Sequence, residues 1–217
     1  PPAGCYYASW LRNHDELDLE QLTPAEREET MAVFAPHPQM RAFGRGIRRR
    51  LAPMLSDPRQ RKLALFLLCA LPGTPVLLYG DEIGMGDNLD LPDRAAVRTP
   101  MHWSDEHNAG FSEADPLQTV QPVIGTGPFG YHDVNVADQR DDPDSMLSAI
   151  RRMFEVRREQ GPLLTSEATP VDLGDPGVLA LRYDDGGHST LVVANLSPRR
   201  LEVVVPEEHR QGWQQLL

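Results

Sequence analysis

The sequence predicts an α/β portion followed by a small antiparallel β domain, and three observations carry that prediction. Apolar runs at residues 5–12 and 76–79 bracket two stretches with helical spacing. Strand, helices, strand is the order of a βα-type unit, and a right-handed crossover lays its two strands parallel in one sheet. Both runs stop at carboxylates, Asp15 after the first and Asp81 with Glu82 after the second. Beyond Pro162 the pattern changes to short β-branched runs separated by turn residues, the mark of antiparallel strands.

With 217 residues and 40% hydrophobic content, the chain can bury a core, which argues against disorder. Its net charge of −11 repels phosphate backbones and anionic lipid surfaces, so no nucleic acid and no membrane is expected as partner. A neutral ligand such as a sugar fits that charge. The apolar stretch 63–71 is broken by Pro72 and Gly73, too short for a membrane span. The opening Pro1-Pro2-Ala3-Gly4 has neither an initiator Met nor the charged and apolar regions of a secretory signal, so the chain is expected to start within a longer protein. Cys5 and Cys69 match no metal spacing and are expected as buried thiols in a reducing, cytoplasmic setting.

Tyr6, Tyr7, Trp10 and Leu11 make residues 5–12 a buried strand, ended by Asn13-His14-Asp15. Thr23-Pro24-Ala25-Glu26 is a capping box with proline at the first helical position, and it opens a short helix to Phe34. Residues 47–55 and 59–71 carry helical spacing, the second nearly all apolar in its last turns and therefore buried. The run Arg48-Arg49-Arg50 reads as a solvated or salt-bridged helix face. After the turn Pro72-Gly73-Thr74-Pro75, residues 76–79 form a continuous apolar run of the kind a parallel strand buried on both faces requires. Residues 84–143 are rich in Gly, Pro, Asp and Asn without sustained period. Their Arg98, Trp103, Phe111, Phe129 and Tyr131 favour an ordered, substrate-facing loop. Residues 146–158 form an amphipathic helix, and 178–181, 190–194 and 201–205 form the strands of the β domain.

Asn13-His14-Asp15 directly after a strand stands where (β/α)8 enzymes place catalytic groups. The same tripeptide also suits an Asx turn or a helix cap. Asp18 and Glu20 read either as a solvated turn or as carboxylates that pair with a basic group from elsewhere to close a pocket entrance.

The longer blocks carry a family resemblance. Trp10-Leu11-Arg12-Asn13-His14-Asp15-Glu16-Leu17 resembles the seventh-strand motif of the α-amylase family. Gly46-Ile47-Arg48-Arg49-Arg50-Leu51-Ala52-Pro53 and the stretch 71–88, containing Tyr79-Gly80-Asp81-Glu82-Ile83-Gly84-Met85-Gly86-Asp87-Asn88, resemble the seventh helix and eighth strand of the trehalose synthases in that family. Val97-Arg98-Thr99-Pro100-Met101-His102-Trp103, followed by Asn108-Ala109-Gly110-Phe111-Ser112, is similar to a block shared with oligo-1,6-glucosidases and sucrose isomerases. His102 stands where Gln is usual. The resemblance covers residues 5–160 and extends more loosely through the β domain.

The resemblance implies the last portion of a TIM (β/α)8 barrel, strands seven and eight, in residues 1–161, followed by a partial antiparallel β-sandwich in 162–217. It implies part of a retaining α-glucosyl enzyme that interconverts maltose and trehalose by intramolecular glucosyl transfer. A hydrolase of the same family, an oligo-1,6-glucosidase or α-glucosidase, is the alternative. A non-catalytic remnant or carbohydrate-binding partner subunit is a reading of another class. Asp15 matches the third carboxylate, which grips sugar hydroxyls in the transition state, His14 the neighbouring sugar-binding histidine, and Arg98 the loop arginine that fixes the non-reducing glucose. Asp81 and Glu82 are expected mostly to tie down loops. The nucleophile and acid/base belong to earlier strands, so this chain alone is expected to be inactive. No cofactor and no metal is implied. The partners implied are maltose, trehalose or related α-glucosides and the N-terminal portion of the barrel, with a homo-oligomer or a maltokinase association as further partners it allows.

Overall fold

The structure, a computed structural model of the chain, describes residues 5–13, 15–161, 167–206 and 214–217. These residues divide into two compact units. One comprises the chain up to Ser9 together with Leu63–Pro75 and Arg151–Leu217, the other Trp10–Lys62 with Val76–Ile150.

In the first unit, β1 (Ala8–Ser9) lies parallel to β5 (Thr74–Pro75). The parallel sense agrees with the sequence, but the partner does not: β5 falls on Thr74–Pro75, expected as a turn, and not on 76–79. Only two residues pair on each side, and the ladder falls just before residues 76–79, which take no strand. Nor are residues 5–10 buried as a strand would be: Tyr6, Tyr7 and Trp10 are 59%, 70% and 52% exposed, and Cys5 is exposed as well. A parallel strand is held by neighbours on both edges and covered on both faces. Each of these strands has one neighbour, and Pro75 has no N–H to extend the ladder.

Asp57 starts α3 (Pro58–Ala70) by accepting the Arg59 N–H at 2.8 Å. The helix buries Leu65, Leu68, Cys69 and Ala70, and burial pushes the Cys69 thiol up to about 11. The carbonyls at its end have no helical partner. Arg157, on α5 (Met146–Glu159), donates to Cys69, to Leu71 at 3.1 Å and to Gly73.

The antiparallel sheet has the order β6 (Thr169–Pro170), β7 (Val178–Asp184), β8 (Ser189–Asn195). Register runs from Val178 opposite Asn195 to Asp184 opposite Ser189, closed by a turn in which Asp185 accepts from the N–H groups of Gly187 and His188. Alternate residues Thr190, Val192 and Ala194 point inward, and Tyr183, Leu181 and Val192 pack on Ala70. Residues 201–205 are not the third strand; β6 is. Leu201, Val203 and Val205 keep the alternation and are half-buried, but alternation reports a half-buried face, not a hydrogen-bonded edge.

The second unit opens with a small antiparallel sheet of order β2 (Leu17–Asp18), β4 (Gly46–Ile47), β3 (Arg41–Ala42). Ile47, expected in a helix, is fully buried in this sheet. Two-residue strands leave no period to read. The capping box forms as expected: Thr23 and Glu26 bond reciprocally at the start of α1 (Pro24–Phe34), and Met31 packs with Leu19, Ala35 and Ile47. Of the predicted helix at 47–55 one turn remains, α2 (Leu51–Met54).

Residues 84–143 are ordered by short pieces: 3₁₀ turns at Asp93–Val97, His107–Gly110 and Pro116–Gln118, then α4 (Val136–Arg140), capped by Asn135. Ile83, Met85, Met101 and Val136 form their core. Among the described residues no helix is long and apolar enough to cross a membrane.

Candidate functional site

Asn13 accepts the N–H of Asp15 at 2.8 Å, an Asx turn that presents the Asp15 carboxylate to two guanidinium groups. Arg98 bonds to Asp15 Oδ1 directly, and Arg94 Nε lies 3.6 Å from the same oxygen. Arg94 sits within the 3₁₀ turn Asp93–Val97 and Arg98 caps its end, so one rigid turn aims both at the carboxylate. Arg94 also grips the neighbouring Glu16, whose Oε2 accepts from Nε at 3.0 Å. Glu16 is buried, and the Arg94 hydrogen bond holds its carboxyl below its ordinary range. Opposite charges on two sides fix the orientation of Asp15.

The sequence named Asp15 and Arg98, 83 positions apart, and the structure brings them into contact. His14 lies outside the described residues. Sequence reasoning missed Arg94 and Glu16. The vicinal acids Asp15-Glu16 and the arginine four residues before Arg98 were the available signal.

Arg98 also lines a cleft of about 730 Å³. Tyr79, Trp103 and Phe111, each about half exposed, line it too, as does Glu82, whose carboxyl is raised by burial. Aromatic rings beside a few convergent polar groups are what a sugar needs. Its C–H faces lie on rings while its hydroxyls are gripped by carboxylates and a guanidinium fork.

The run Arg48-Arg49-Arg50 is in part salt-bridged, as expected, but it lies on no helix and is not a solvated face. Arg48 and Arg50 are buried, and the three guanidiniums reach backbone carbonyls and carboxylates instead. Arg48 donates to the carbonyls of Gln39, Leu89, Leu91 and Asp93 at 2.6–3.0 Å, which steadies the approach to the Asp93–Val97 turn. Arg49 pairs with Asp87 at 3.3 Å. Arg50 donates to the Tyr79 carbonyl at 2.7 Å, faces Asp81 at 3.5 Å and stacks on the Tyr79 ring. Five donors on a planar group let arginine satisfy so many acceptors at once, which is why this charge is tolerated inside. Asp81 is buried beside Arg50, and desolvation pushes its carboxyl up to about 6.

Other polar residues have partners within the chain. Asp18 and Glu20 meet Arg45 at 3.4 and 3.6 Å. His102 is fully buried, with Nδ1 2.9 Å from the Val134 carbonyl, while its neighbours Met101 and Trp103 line the cleft. Among the described residues no group of His, Cys, Asp and Glu could hold a metal ion.

Among the described residues, the unit that carries the Asp15–Arg98 pair also carries the aromatic cleft that Arg98 lines. By the match of "Alpha amylase, catalytic domain" to residues 25–167, the chain belongs to the α-amylase family. It is similar to proteins named trehalose synthase: 43% identical over 213 residues to that of Thermus thermophilus, covering 97% of this chain and 22% of that protein. Against that of Pimelobacter sp. (strain R48) the identity is 44%, covering 89% of this chain and 34% of the relative. A trehalose synthase/amylase of Mycolicibacterium smegmatis is likewise 44% identical, over 93% and 36%. The chain thus spans roughly a fifth to a third of the length of these relatives. Its fold is similar to trehalulose synthase MutB in complex with Tris, with TM-score 0.58 and 23% identity over 88% of this chain and 35% of that one. The isomaltulose synthase SmuA from Protaminobacter rubrum gives TM-score 0.56 and 22% identity, over 88% and 35%.

Proposed function

We propose that this chain is the C-terminal part of a retaining α-glucosyl enzyme that interconverts maltose and trehalose by intramolecular glucosyl transfer. The observation that carries the reading is the Asp15–Arg98 contact beside the aromatic cleft, in a segment 43–44% identical to proteins named trehalose synthase. Residues 1–161 supply the last two strands of the barrel and 162–217 the start of a β-sandwich domain.

A retaining mechanism needs a nucleophile and an acid/base about 5 Å apart, and in this reading both come from residues outside these 217. Asp15 is the third carboxylate. It accepts hydrogen bonds from sugar hydroxyls that shorten as the ring distorts, so it acts on the transition state more than on the bound substrate. Arg98 takes the non-reducing end through its fork of donors, and His14 binds beside Asp15. Isomerisation further requires the released glucose to stay in place and be attacked again through another hydroxyl while water is kept out; the ordered loop 84–143 supplies such a wall.

The test is the full-length protein carrying this segment, incubated with maltose, with trehalose and glucose quantified. Trehalose as the main product supports isomerisation; glucose alone turns the assignment to the hydrolases. Asp15→Asn is expected to lower kcat by at least about a hundredfold with an unchanged melting temperature. A loss below about tenfold, ~1.4 kcal/mol, would make Asp15 only the acceptor of a structural ion cluster.

A further inference from the structure

Arg12 is among the least exposed charged residues of the chain, at 2%. Its guanidinium folds back on its own chain: Nε donates to the Asn13 carbonyl at 2.9 Å and Nη2 donates to the Asp15 carbonyl. The fork thus clasps Asn13 to Asp15 through their carbonyls, while the Asn13 side chain ties the two through the Asp15 N–H at 2.8 Å. The charge is matched at longer range by Asp81 and Asp87 and opposed by Arg50. Asp87 in turn is fixed by Arg49 and by the Arg50 N–H at 2.9 Å.

We propose that Arg12 is a positioning residue for Asp15: its buried guanidinium sets the turn 13–15, so that the carboxylate meets Arg94 and Arg98 from one direction only. Three facts favour this over a space-filling role. A buried arginine costs several kcal/mol of desolvation, which an apolar side chain of similar volume would avoid. Both its hydrogen bonds go to the turn that carries the carboxylate and neither goes to the surrounding core. A lysine, with one compact ammonium, cannot span two carbonyls in a fixed plane. Because a displacement of about 1 Å at such a group costs on the order of a hundredfold in rate, the clasp is worth its burial.

The inference rests on the reading of Asp15 as a transition-state group, and two readouts separate them. In the full-length protein, Arg12→Gln is expected to lower kcat on maltose by about a hundredfold with KM within about threefold, the pattern of a lost transition-state contact. Arg12→Lys is expected to recover part of that loss, and Arg12→Gln is expected to add no further loss on an Asp15→Asn background. Independently of activity, amide exchange in the peptide containing residues 13–15 is expected to quicken at least tenfold in Arg12→Gln while α1 exchanges as before. Unchanged exchange at 13–15 overturns the clasp whatever Asp15 does. Faster exchange with kcat unaltered, in a protein that Asp15→Asn inactivates, overturns the positioning role. If Arg12→Gln does not fold, the exchange and kcat of Arg12→Lys decide by the same criteria.

Discussion

Among the described residues Asn13 holds the amide of Asp15, Arg12 its carbonyl, and Arg94 and Arg98 its carboxylate. Each contact uses a group whose geometry is rigid, an amide side chain in a turn or a planar guanidinium. The carboxylate therefore has little orientation left to lose. His102 is fixed for a different reason, since its ring is fully buried and burial lowers its tendency to protonate below the ordinary 6.5, with Arg50 adding to the effect. In the unfolded chain the ring takes its proton at the ordinary value, so its contribution to stability is present above about 6.5 and is lost as pH falls below it. Asp81 runs the other way. Its folded value near 6 lies above the ordinary 3.8, so its contribution is largest in acid and fades as pH rises through 6. His102→Gln separates the two: the stability of the wild type relative to this variant is expected to decline from pH 7 to pH 5 in urea titrations. Parallel curves over that range would mean that the ring is protonated in place.

At the level of elements, the loop 79–93 is shaped by what lies beneath it. Gly80 has φ +87°, a conformation L side chains rarely adopt, and a Cβ there would stand 2.4 Å from Met85 Sδ and 3.1 Å from Arg50 Nη1. Both neighbours are buried and held, Met85 in the apolar cluster of the loop and Arg50 by Tyr79 and Asp81. Gly80→Ala is expected to destabilise the protein by about 1–3 kcal/mol, from the strained backbone alone. A shift in urea midpoint corresponding to less than about 0.5 kcal/mol would show that the loop leaves the left-handed conformation, and Met85 moves aside, at no cost. Helix α1 behaves differently, being specified locally by its capping box. The arginine run shows the opposite case, because three consecutive cations read equally as a solvated or a salt-bridged face until the carbonyls and carboxylates they serve are placed around them.

For the whole molecule, the exposed rings of Tyr6, Tyr7 and Trp10 and the two-residue ladder of β1 with β5 are a sheet fragment with unpaired edges, which favours association. The purified 217-residue chain is expected to release neither trehalose nor glucose from maltose, since one motif-matched carboxylate cannot serve as both nucleophile and acid/base. Turnover abolished by Asp15→Ala in that chain would refute this and turn the search for a nucleophile to Glu82, Asp81 and Asp87. The sequence by itself determined the capped helix α1, the parallel sense of the β1 pairing, the antiparallel hairpin β7–β8, and Asp15 and Arg98 as the residues to watch, because capping, alternation and motif are written in neighbouring positions. Only the tertiary structure decided the extent of the strands, the burial of Arg48 and Arg50, the ion pairs of Asp18 and Glu20 with Arg45, and the contacts that Arg12, Arg94 and Glu16 make around Asp15. These depend on which acceptors and charges lie within a few ångströms across dozens of residues of chain, and burial that changes the cost of a charge leaves no local period in the sequence.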